Sequence, residues 1–105
     1  MKNNKYAITL ANENGDTINQ IEYKTYNKQD IANAMLKLLL ELRTSPVGYE
    51  LEYWKQNDKY AYMPMLTLEK TQHGVKQQII KGDKVYYKNF DIDNFIKLNL
   101  VDPNK

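Results

Sequence analysis

At 105 residues with 42% apolar content, the chain can bury one core and is too short for two, so a single domain over residues 1–105 is expected. Fifteen basic against thirteen acidic residues leave a net charge of +2, and one histidine with no cysteine excludes disulfides, thiolate catalysis and a His/Cys metal centre. No cofactor is expected, and a reducing, cytoplasmic setting fits the cysteine-free composition.

The opening MKNNK is followed by alternating rather than continuous apolar residues, so neither a secretory leader nor a membrane span is expected. From Tyr6 to Ala11, Tyr6, Ile8 and Leu10 alternate with Ala7, Thr9 and Ala11, the period of a half-buried strand. Asn12–Asp16 contains Asn14-Gly15, a strong hairpin signal, and Thr17–Tyr23 returns as the second strand. Ile18 and Ile21 have opposite parity within it, which predicts a bulge or a strand buried on both faces.

The stretch Lys28–Arg43 organises the rest of the chain. Ile31, Met35, Leu38 and Leu42 recur at helical spacing on one face. Asn27 suits the N-cap with Asp30 three residues on, and Thr44-Ser45-Pro46 ends the helix because a residue preceding proline avoids the α region. Ala32, Leu36, Leu39 and Leu40 widen the apolar arc to roughly 240°, more than one sheet can cover. Leu36 and Leu40 are therefore expected beneath a second element, or against a second copy of the chain in a homodimer.

Tyr49–Gln56 places Tyr49, Leu51 and Tyr53 on one strand face and Glu50, Glu52 and Trp54 on the other. Tyr60–Lys70 reads as a fourth strand interrupted by Met63-Pro64-Met65, and proline requires an edge or a bulge there. Val75–Lys81 and Lys84–Lys88 are two further strands about a Gly82-Asp83 turn, and Asp91 caps a last helix carrying Ile92, Phe95 and Ile96. The expected order is ββαββββα, an α+β fold with an antiparallel sheet, the long helix on one face and a short C-terminal helix.

No catalytic motif is present. His73 falls in a Gln-His-Gly turn, the four glycines stand singly, and Asp91-Ile92-Asp93-Asn94 lacks the glycine and distal glutamate of a calcium loop. Glu50 and Glu52 share a face, but no further group completes an acid and base pair beside them. Two surfaces stand out. Trp54, Met63 and Met65 beside Glu50 and Glu52 form a candidate protein-binding patch, since tryptophan anchors interfaces and methionine repacks within them. Lys76, Lys81, Lys84 and Lys88 interleaved with Tyr86 form a candidate nucleic-acid strip, basic groups beside a stacking ring.

Nine tyrosines against two phenylalanines favour rings with a wet end, which suits interfaces. The preferred reading is a non-enzymatic protein-binding module that sequesters or inhibits a larger host or cognate protein. Fourteen lysines against the single Arg43 give the composition an AT-rich flavour, which suits a phage or mobile-element product acting on a host defence enzyme. The alternative is a small nucleic-acid-binding protein that uses residues 70–88.

Overall fold

Alternation and turn chemistry produce the expected first hairpin, Lys5–Ala11 (β1) and Thr17–Tyr23 (β2). The chain is described by a computed structural model covering residues 5–24, 27–56, 63–91 and 93, with Met63 and Pro64 by backbone alone. Asn12 organises the β1–β2 turn: its Oδ1 accepts from the N–H groups of Asn14 (2.9 Å) and Asp16 (3.0 Å), and Gly15 takes the positive φ of +85°. The parity conflict resolves as a bulge. Leu10 pairs with Asn19 but Ala11 with Thr17, so Ile18 is the extra residue and points outward, while Ile21 packs on the core.

The helix Lys28–Arg43 (α1) has the bounds its sequence predicts. Asn27 is extended and its side chain accepts from the Asp30 N–H at 3.0 Å, satisfying one of the orphan donors of the first turn. At the other end, Thr44 N–H donates to Glu41 O (3.2 Å), Ser45 N–H to Leu42 O (3.1 Å) and Ser45 Oγ to Glu41 O (2.7 Å), just before Pro46.

The remaining strands are Glu50–Gln56 (β3), Met63–Thr71 (β4), Gly74–Lys81 (β5) and Lys84–Asn89 (β6). All six pair antiparallel in one sheet of order β2-β1-β3-β4-β5-β6. With α1 against it, the fold is α+β. β1 lies between β2 and β3, so its second partner is reached only after the chain has passed through α1.

The core lies between α1 and one sheet face. Tyr6, Ile8, Leu10, Leu51, Tyr53, Leu66 and Leu68 meet Ile31, Met35, Leu38, Leu39 and Leu42 there, and no described polar or charged residue is buried. Fully enclosed side chains such as Leu38, Leu51 and Leu68 each contribute about 1.5–3 kcal/mol relative to an exposed state.

As the width of the apolar arc predicts, the sheet covers only part of α1 and leaves Leu36 and Leu40 44% and 60% exposed in the single chain, and no described element supplies the second layer expected over them. The expected C-terminal helix with Ile92, Phe95 and Ile96 lies outside the described residues. The Asp93 N–H donates to Asp91 Oδ1 at 3.1 Å, the local turn an aspartate makes at a cap.

Pro64 sits where both proline rules are met. Tyr53 pairs with Leu66 and Trp54 with Pro64, which makes Met65 the extra residue of a bulge. β4 pairs with β5 only from Leu68 to Thr71, so Pro64 also has no β5 partner whose ladder it would interrupt.

Candidate interaction surface

β5 and β6 remain paired from Lys76↔Asn89 to Lys81↔Lys84, whereas β5 leaves β4 after Gln77. The distal half of this hairpin therefore extends past the sheet's supported part. It concentrates exposed apolar surface: Ile80 is 67% exposed, and Val85, Tyr86 and Tyr87 about half exposed (47%, 49% and 50%). Exposed apolar side chains gathered on one element mark interaction sites more often than scattered ones do.

The root of the hairpin is clamped to the sheet face opposite α1. Strand alternation puts Glu50, Glu52 and Trp54 of β3 on that face, with Glu50 directly across from Glu69 of β4. Two carboxylates in register repel. Gln78 answers both, its Nε2 donating to Glu50 Oε2 (2.6 Å) and Glu69 Oε1 (2.7 Å), while Tyr87 donates its hydroxyl to Glu69 Oε1 (3.0 Å). Hydrogen bonds to charged acceptors are the stronger kind, so a neutral amide here turns a repulsive pair into an anchor. The bond to Glu69 holds the Tyr87 phenol proton and raises its pKa above the ordinary value.

Half-burial raises the Glu52 carboxyl pKa, the neighbouring Glu50 charge adds to the rise, and a hydrogen bond from Thr67 opposes it. Trp54 is half-buried, across from Ala7 and Pro64. Ala7 shares the Trp54 face and is 1% exposed although it lies outside the main core, so this corner is screened. Met65 is 47% exposed at the bulge, and of Met63 only the backbone is described. The structure thus brings Glu50, Glu52 and Trp54 onto one face and seats Pro64, not a methionine, opposite Trp54.

The basic strip divides by parity. Lys81, Lys84 and Lys88 share the α1-side face of the hairpin with Tyr86, because Lys81 pairs with Lys84, Ile79 with Tyr86 and Gln77 with Lys88. Lys76 is on the opposite face, its Nζ donating to Asn89 Oδ1 at 2.5 Å.

His73 is exposed in the β4–β5 turn, its N–H donating to Thr71 Oγ1 (3.1 Å). It lines an open depression of about 400 Å³ with Val47, Glu69, Thr71, Lys76 and Tyr87. Among the described residues no three metal-ligating side chains converge, and no described helix is long and apolar enough to cross a membrane.

Sequence reasoning missed the Gln78 clamp and the apolar outer row of Ile80, Val85 and Tyr87. The parity of these residues about Gly82-Asp83 was a readable signal, since it puts all three with Gln78 on one face. No protein family, curated protein or solved structure matches this chain.

Proposed function

We propose that the chain is a small protein-binding module that acts without catalysis by occupying, and so sequestering or inhibiting, a larger partner protein. The observation that carries this reading is the β5–β6 hairpin, where Ile80, Val85, Tyr86 and Tyr87 stand exposed together on an element clamped at its root. Tyrosine in such a position offers a large rigid contact area with a polar end, at little entropic cost. The Trp54, Glu50, Glu52 and Met65 face joins the hairpin through Glu69 and Gln78, so one partner can span both.

Affinity capture from a nuclease-treated low-GC host lysate tests the reading. A stoichiometric protein is expected on the wild-type chain, and its loss is expected on an Ile80→Ser, Tyr87→Ser double variant with an unchanged thermal midpoint. Capture that resists this variant but disappears with Trp54→Ala moves the site to the β3 face. Recovery of nothing beyond nucleic acid overturns the protein reading.

A nucleic-acid role rests on a separate observation, the shared face of Lys81, Lys84, Lys88 and Tyr86. Binding of that kind weakens steeply with salt as phosphate contacts release counterions. A salt titration with a single-stranded oligonucleotide therefore separates the two readings.

A further inference from the structure

Gly82 has φ +64° and Asp83, like every described non-glycine residue, has negative φ, so the β5–β6 connection has the signature of a two-residue II′ turn. In such a hairpin the pair flanking the loop is hydrogen-bonded, and the pattern then alternates along the ladder. Lys84, Tyr86 and Lys88 thus direct their backbone groups toward Lys81, Ile79 and Gln77 of β5. Val85, Tyr87 and Asn89 direct theirs to the other side, where β6 has no strand neighbour among the described residues. Among the described residues nothing pairs with the β6 edge, which presents a row of backbone donors and acceptors to a further strand.

The two faces of that edge differ in chemistry. On the α1 side, Lys84 and Lys88 flank Tyr86, and Lys81 adds a third ammonium across from Lys84, with Asp83 in the adjoining turn. On the opposite side the row is Val85 and Tyr87, backed by Ile80.

We infer that β6 takes up an extended acidic segment of the partner protein as a seventh strand, with acids beside Lys84 and Lys88 and apolar residues beside Val85 and Tyr87. Backbone pairing supplies affinity and the alternating side chains supply selection, as in other strand-addition complexes. Because side chains alternate along a strand, the segment needs acids four residues apart, an aromatic or apolar residue midway between them, and β-branched residues at the intervening positions. The pattern Glu-Val-Tyr-Val-Glu meets this and reads identically in both directions, so it serves a parallel or an antiparallel addition. The inference rests on the protein-binding reading and narrows it.

The test uses the full chain and blocked synthetic peptides, with binding followed by fluorescence anisotropy. The Glu-Val-Tyr-Val-Glu peptide is expected to bind. Its Lys-for-Glu counterpart, and an isomer with the two acids adjacent and so on opposite faces, are each expected to bind at least roughly tenfold more weakly. Val85→Pro removes an outward N–H while sparing the β5 ladder, and is expected to abolish binding with the thermal midpoint kept. Lys84→Glu with Lys88→Glu is expected to reverse the preference toward the lysine peptide, a gain that unfolding cannot produce.

Equal binding of all three peptides, or full binding by Val85→Pro, overturns the strand-addition inference. Tight binding of an oligothymidylate with no peptide binding replaces the acidic protein segment with nucleic acid. If lysate capture succeeds while every peptide fails, only the inference falls. If capture fails as well, the protein-binding reading falls with it.

Discussion

The sheet has two halves that solve different problems. Under α1, strands β2, β1, β3 and the C-terminal part of β4 enclose apolar side chains to near zero exposure, with Met35, Leu38, Leu42, Leu51 and Leu68 all at 0%. Past Gln77 the sheet continues as a two-stranded hairpin whose outer strand is exposed at every residue. A two-stranded ribbon is marginal by itself, so the second half depends on the first. Stability resides under the helix, whereas the hairpin leaves Ile80, Val85, Tyr86 and Tyr87 exposed.

The largest expected contrast is between two aliphatic truncations. Leu51→Ala should destabilise by about 2–5 kcal/mol in denaturant unfolding because its site is fully enclosed. Ile80→Ala should change stability by less than about 0.5 kcal/mol. Comparable costs for both would show that the hairpin is packed rather than exposed, and would remove the distinction.

The joint between the halves comes next. Gln78→Ala leaves Glu50 and Glu69 facing each other without a shared donor. It should cost about 1 kcal/mol, a surface-discounted value for two charge-assisted bonds. Amide hydrogen exchange should locate the effect, with faster exchange in β5 and β6 and little change in β1 and β3. Uniform acceleration across the sheet would mean that the hairpin is part of the global cooperative unit.

A smaller effect should come from Glu52. Its folded-state pKa is raised by half-burial and by Glu50, so the folded chain holds this proton more tightly than the unfolded chain does. The folded state is then penalised for the charged form: the penalty is absent below the ordinary value of 4.5 and sets in as pH rises through the raised value. Glu52→Gln should stabilise at neutral pH by less than about 1 kcal/mol, since solvent screens a half-exposed group, and the gain should vanish under acid conditions. A gain that persists below pH 4.5 would assign it to packing instead.

Least of all, Leu40→Lys should leave the stability of the single chain within about 0.5 kcal/mol, as expected for a residue 60% exposed. Light scattering on the same variant checks the homodimer expectation. A wild-type dimer that becomes monomeric with Leu40→Lys would give α1 an interface role and add a second contact surface to the hairpin.

Much of the first half was legible because local signals agreed there. The period of Ile31, Met35, Leu38 and Leu42, the Asn27 cap and the Ser45-Pro46 stop all set the same helix bounds. The conflict between Ile18 and Ile21 foretold a bulge, and the one between Pro64 and its flanking pattern foretold another. The facing of Glu50, Glu52 and Trp54 followed from strand alternation alone.

Relations between elements were less readable. Apolar content around α1 showed that one sheet leaves Leu36 and Leu40 open, but not whether a second element or a second copy of the chain covers them. Nothing local shows that β5 parts from β4 after Gln77, because that depends on the short β4 register. The Gln78 clamp joins residues 28 and 9 positions apart through three strands, which no window of sequence brings together. Tyrosine usage divides along the same line: Tyr6 and Tyr53 are buried in the core, whereas Tyr86 and Tyr87 serve the exposed hairpin.

The placement of β1 between β2 and β3 also bears on how fast the chain folds. Each of β1–β2, β4–β5 and β5–β6 closes across a short turn, but Ala11 meets Glu50 only after about forty residues of chain, α1 included, have been looped out. That seam carries the largest closure entropy in the described topology, so its zipping should dominate the barrier. Destabilising Ile8 or Leu51 should therefore slow refolding, whereas changes on β6 should act mainly through faster unfolding.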